Sequence, residues 1–182
     1  MIPTTRRTNL KSLDVNKVLN PAPDSIVLQG LPMPPSSNGQ YSTVITMKAG
    51  FRQTRRVKSK EAVIYARSFQ HWSIVNSDKI KEAKAAISSW NTGLECTMYF
   101  IFPKEKLLTQ KNQLKKLDVT NRIKQIHDLL VTALDIDDSW YVRTVEEKVL
   151  GVKDQGFVIA VIKPTVLRSL VDLYQDPELE AM

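Results

Sequence analysis

Apolar and polar residues alternate from Leu94 to Phe102, where Leu94, Cys96, Met98, Phe100 and Phe102 share one face. A period of two predicts a β-strand, and the bulk of its inward set predicts a central one. Gly93 breaks the chain just before it. Upstream, Ser25 to Leu31 predicts a first strand, ended by Pro32, Pro34 and Pro35, which cannot donate to a ladder. Thr43 to Met47 predicts a second. The period then changes to that of a helix. Ala62, Tyr65, Ala66, Phe69 and Trp72 keep one face apolar behind Ser59, an oxygen-bearing cap, and Ile80, Ala83, Ile87 and Trp90 do the same behind Ser77. Beyond the middle of the chain, Trp140 to Val149 and Gly156 to Ile162 read as a strand pair whose turn starts at Gly151, with Pro164 ending the second strand. Thr165 to Tyr174 sets Leu167, Leu170, Val171 and Tyr174 on one helical face. These elements predict an α+β fold, a single domain over residues 25–163 with a mixed β-sheet flanked by helices. Residues 1–24, polar and proline-bearing, read as a flexible basic arm, and residues 164–182 as a C-terminal helix and acidic tail.

One further helix carries the densest chemistry. In Lys116 to Ser139, Ile123, Ile126, Leu129, Leu130 and Ala133 recur at helical spacing and form a stripe to be buried. Asn121, Lys124 and Asp128 share another face. Asp118 and Thr120 stand at the helix start, where short oxygen-bearing side chains cap free N–H groups. Asp135, Asp137 and Asp138 follow its end at once. A fold that brought Asp118 to the Asp137/Asp138 pair would make a site for a hard divalent cation, with Lys124 as a compact positive charge beside it. That set suits phosphoryl chemistry. The same residues also serve plainer ends: a cap at Asp118 or Thr120, a solvated turn at Asp135 to Asp138, a surface ion pair between Lys124 and Asp128. His127, a lone histidine beside apolar positions, reads as packed rather than catalytic.

Composition narrows the classes. The single cysteine, Cys96, excludes a disulfide scaffold or a cysteine-based zinc cluster within one chain, and no apolar run reaches the length of a membrane span. A cytoplasmic protein without membrane partners is expected. The net charge of +7 is unevenly placed: residues 1–117 carry 19 basic against 7 acidic side chains, and residues 118–182 carry 7 against 12. Lys48 to Lys60 holds Lys48, Arg52, Arg55, Arg56, Lys58 and Lys60 with no acid, and reads as a phosphate-contacting loop. A second basic connection, ending in Lys115 and Lys116, delivers the chain to Asp118. A basic grip joined to an acidic site is the balance of an enzyme that holds phosphates and cuts with a metal.

The pattern D-V-T-N-R-I-K followed by D-D-S resembles the RusA family of Holliday-junction resolvases. So does L-P-M-P-P-S-S-N-G-Q-Y at Leu31 to Tyr41, and more weakly S-K-E-A at Ser59 to Ala62; the matches span roughly Ile26 to Ile162 in the family's order. The resemblance implies a magnesium-dependent homodimeric endonuclease for branched DNA. In it Asp118, Lys124 and Asp138 are the catalytic set, Asp118 and Asp138 are metal ligands with Asp137 beside them, and Thr120, Asn121, Asp128 and the strand residue Lys148 are the supporting set. The second aspartate of the family's D-x-D-N element is Thr120 here, a neutral and weaker ligand. That departure keeps open a different class of protein, a non-catalytic DNA-binding or interaction module built on the same fold.

Overall fold

A computed structural model describes residues 21–36, 41–48, 51–117, 119–151 and 156–167, with no side chain described at Asn121. The predicted arm up to residue 20 and the helix and tail from residue 168 lie outside the described residues. The elements run β1 (Ile26–Pro32), β2 (Tyr41–Lys48), β3 (Phe51–Lys58), α1 (Lys60–Val75), α2 (Ser77–Ser89), β4 (Gly93–Phe102), the short α3 (Lys104–Leu107), α4 (Thr120–Leu134), a 3-10 turn (Asp138–Trp140), β5 (Tyr141–Leu150) and β6 (Phe157–Thr165).

β4 is central, as its alternation predicts: the four-stranded sheet has the order β1-β6-β4-β5. Leu94, Cys96, Met98, Phe100 and Phe102 are all buried. They meet Tyr65, Phe69 and Trp72 of α1, Ile80, Ala83 and Ile87 of α2, and Ile126, Leu130 and Leu134 of α4 in one core cluster. Ser59 caps α1 as expected, its hydroxyl accepting from the Ala62 N–H at 3.0 Å.

The sheet corrects the expected strand pair. β5 and β6 do not pair with each other; β4 lies between them, antiparallel to β6 and parallel to β5. A tight turn joins only antiparallel neighbours, whereas a parallel neighbour needs a crossover, and α4 is that crossover. Glu95 of β4 ties the three strands together. Its buried carboxylate lies 3.1 Å from Lys163 of β6 and 3.4 Å from Arg143 of β5. Removing such a carboxylate would leave two cations unpaired beside the sheet. β6 also runs through Pro164 to Thr165, where Pro164 sits opposite Leu94 at the sheet's end.

A second correction concerns the basic run. It is the strand β3, paired in full antiparallel register with β2 from Tyr41↔Lys58 to Lys48↔Phe51. It reads as a loop because neither of its faces is apolar, and none of the residues of β2 or β3 is buried.

β1 holds a bulge. Leu28 pairs with Ala160 and Leu31 with Val158, so three steps along β1 match two along β6. In a regular strand Leu28 and Leu31 would point to opposite faces; the extra residue turns both into the core, at 1% and 0% exposure. Gly30 supplies the positive φ of 70° that the bulge needs, and the Gln29 carbonyl accepts from the Trp72 indole at 2.9 Å. Space does not restrict Gly30, since an added Cβ would meet nothing within 4 Å. The cost of a side chain is therefore conformational, roughly 1–2 kcal/mol for an L-residue held left-handed. Gly30→Ala should lower unfolding stability by about that amount in urea, and Gly30→Asn by less. An alanine variant as stable as the parent would show that the bulge does not constrain φ.

Candidate active site

α4 is held by Ile126, Leu130 and Leu134, spaced four apart and almost wholly buried. Ile123, Leu129 and Ala133 flank them, partly buried against the same core. Leu134 extends the stripe by one residue beyond the predicted set. With that face inward, Lys124 and Asp128 are left exposed on the outside. The surface pair proposed for them is not formed among the ion pairs of the described residues. Among those residues Lys124 is a bare cation on the outer face of the helix.

The start of α4 departs from expectation. Val119 occupies the cap position in a helical conformation, with no side-chain cap, and its own side chain is 7% exposed. Among the described residues an apolar plug packs this end, and Thr120 is the first residue of the helix proper. Asp118 lies outside the described residues. Sequence reasoning passed over Arg122, one turn into the helix. Its guanidinium donates to the Pro34 carbonyl and stands 6.0 Å from the centre of the Phe102 ring. That bond fastens the L-P-M-P-P segment to the D-V-T-N-R-I-K segment. The two patterns far apart in the chain are one structure, and a long donor among apolar residues was the signal for it.

The far end of α4 is closed by Asp135, left-handed at φ 57° and 3.9 Å from Lys84. Asp137 then caps the 3-10 turn, its carboxylate accepting from the Ser139 N–H at 2.8 Å. Hydrogen bonds from Ser139 hold the Asp137 carboxyl below the usual carboxylate range. One of its oxygens is thus occupied in shaping the turn that presents Asp138. His127 packs on Tyr141 with ring centres 4.2 Å apart. Burial pushes its pKa below the ordinary 6.5, against the opposing pull of Asp128 and Asp138.

The candidate residues therefore fall into two groups. Fifteen residues of helix span about 22 Å. Thr120 and Lys124 lie toward the end of α4 near Phe102, and Asp137 and Asp138 come after its other end, near Tyr141. Lys148, in the second half of β5 and opposite Phe100, shares the first end. Among the described residues no three His, Cys, Asp or Glu side chains stand close enough to hold a metal. Of the DNA-contacting candidates, Arg52, Arg55, Arg56 and Lys58 lie on the exposed β3, and Lys115 and Lys116 are exposed ahead of α4. The Lys115 ammonium donates to the Glu105 carbonyl at 2.5 Å. The root of the β2–β3 hairpin sits over α4, since Tyr41 and Lys58 line one small pocket with Gln125, Asp128 and Leu129.

The family profile of the endodeoxyribonuclease RusA matches residues 35–162, most of the chain. The chain belongs to the RusA endodeoxyribonuclease family. Comparison with curated proteins gives no match. The RusA match runs from Pro35 through the hairpin, α1, α2, β4, α4 and β5 into β6, so it includes every element that carries a candidate residue. Among the described residues no helix is long and apolar enough to cross a membrane.

His127 yields a measurable consequence. Between its lowered folded pKa and 6.5 the unfolded chain binds the proton more readily, so stability is lost as pH falls through that window. In metal-free urea titrations the parent should lose more stability from pH 7 to pH 5 than His127→Phe. Equal losses would mean that the imidazole is solvated.

Proposed function

We propose that this RusA-family chain is a magnesium-dependent endonuclease that resolves four-way or other branched DNA as a homodimer. The observation that carries the reading is an acid-free basic hairpin rooted against the helix that bears Lys124, which has no ion-pair partner among the described residues. Such a ribbon grips phosphates, and the helix beneath it offers an ammonium to the charge that builds on a scissile phosphate.

The donors available for a metal are carboxylates, with a hydroxyl at Thr120, a set that suits a hard cation such as magnesium. Asp118 and Asp138 would hold it, with Asp137 in support. Magnesium, when bound, supplies Lewis acidity and a water of lowered pKa. The separation along α4 favours a second copy. Asp118 precedes one end of the helix and Asp138 lies beyond the other. A two-fold pairing that sets one α4 antiparallel to its partner's brings the Asp118 end of each beside the Asp138 end of the other. It yields two identical sites, as paired cuts in opposing strands require.

Asp118→Asn and Asp138→Asn should each lower cleavage of a synthetic four-way junction in magnesium by roughly a hundredfold or more. Both should still bind the junction in chelator. If sites are shared between copies, mixing the two inactive variants restores one intact site per mixed dimer and with it nicking of one strand. No recovery in mixtures shown to exchange subunits would return both carboxylates to one chain. Junction binding by the parent without any magnesium-dependent cleavage would make the chain a binding module, the reading that Thr120 favours.

The grip has its own measurement. Neutralising Arg52, Arg55 and Arg56 together should weaken binding to duplex and junction alike. The slope of log affinity against log salt should flatten by about 0.9 for each phosphate no longer neutralised. An unchanged slope would make β3 a solvated strand.

A further inference from the structure

The β2–β3 hairpin contributes nothing to the core: every residue in both strands is exposed. An isolated two-stranded ribbon is marginal in water, so an occupant is expected on it. Its charge selects the occupant. Lys48, Arg52, Arg55, Arg56 and Lys58 stand on it with no carboxylate, which repels a second copy of itself and attracts a polyanion. Eight residues per strand reach about 26 Å, and a two-stranded ribbon of this kind fits the major groove.

The tip differs from the shaft. Phe51 is 75% exposed and Met47 is 70% exposed, whereas Val44 and Val57 nearer the root are 40% and 37% exposed. Phosphate contacts do not require an aromatic ring held in water at the most remote point of a basic element. The register places Lys48 opposite Phe51 and Met47 opposite Arg52. Neighbouring residues of a strand point to opposite faces, so the tip carries Phe51 with Lys48 on one face and Met47 with Arg52 on the other. Each face of the tip is an apolar group beside a cation. Apolar side chains of this size, Phe and Met among them, enter between base steps in DNA that is being kinked, while flanking cations hold the adjacent phosphates.

We propose that the hairpin tip is a wedge for the branch point of its DNA substrate, with Phe51 and Met47 each covering a base unstacked there while Lys48 and Arg52 hold the flanking phosphates. A branch point is where such insertion is least costly, because stacking is already interrupted. The shaft's cations bind any duplex; the tip distinguishes a branched one. This rests on the reading of the chain as a nuclease of branched DNA.

The test uses the full chain in chelator, with a four-way junction carrying 2-aminopurine at the branch point and a linear duplex of the same arms. The parent should brighten the probe on binding and prefer the junction. Phe51→Ala should bind the junction roughly tenfold more weakly, with duplex affinity within about twofold of the parent. It should lose most of the fluorescence rise, and Phe51→Trp should restore it. Met47→Ala should show a smaller loss of the same kind. Equal losses on junction and duplex, or an intact fluorescence rise in Phe51→Ala, would overturn the wedge while leaving the nuclease reading in place. A parent that does not prefer the junction would overturn both. A Phe51→Ala chain of altered oligomeric mass and unchanged junction binding would make the tip a contact between copies, and the wedge would fall.

Discussion

The parallel pairing of β5 with β4 is the constraint on which the rest of the structure depends. A parallel neighbour cannot follow by a turn, so the chain must travel the length of the sheet and come back. It returns as α4, buried through Ile126, Leu130 and Leu134 on the core face that β4 provides. The Glu95 carboxylate, held by Arg143 and Lys163, secures the pairing at the end where β5 begins. A carboxylate so enclosed is worth keeping only while both cations attend it. The position of every candidate residue on or beside α4 is set by that crossover. Residues at its start belong to one end of the sheet, and residues beyond its last turn belong to the other.

The charge of β3 does nothing for the stability of this frame. The core needs none of the cations of β3, and the hairpin would be better paired if some were acids. Each Lys and Arg of the ribbon stands opposite an uncharged residue, so no cross-strand ion pair supports a hairpin that already lacks a buried face. Arg56 finds partial relief over the Tyr41 ring, 4.9 Å from its centre. On the proposed reading, such an element would become favourable on a polyanion, and its affinity would depend on salt.

The sequence was most legible where one side chain decides one local feature. The alternation of β4, the Ser59 cap and the spacing of Tyr65, Phe69 and Trp72 are visible because burial and capping act within a turn or two. The partner of β5 was not, since nothing local in Tyr141 to Leu150 says that β4 rather than β6 lies beside it. The first strand of the hairpin was legible, but its second hid for another reason. Strand patterns are recognised by a buried face, and Phe51 to Lys58 has none; backbone pairing with β2 alone makes it a strand. Leu28 and Leu31 point the same way only because Gly30 inserts a bulge, which periodicity reads as an irregular strand. At the site, residue types and their order were legible. The two ends at which α4 sets them were not, because that depends on the sheet.

Thr120 gains a physical meaning from the same arrangement. The first turn of a helix exposes N–H groups and a partial positive charge, and an anion placed there is favoured. Aspartate at that position would answer the charge from within the chain and stand four residues ahead of Lys124, where the pair would attract. Threonine does neither. Thr120 itself therefore brings no charge to the first turn of α4, and Lys124 has no ion-pair partner among the described residues. On the proposed reading, a phosphate would gain from this what a metal ion would lose. Under the proposed function, the substitution would move the balance of the site from holding a cation toward holding DNA, and would leave more of the ligand set to the carboxylates beyond the far end of α4.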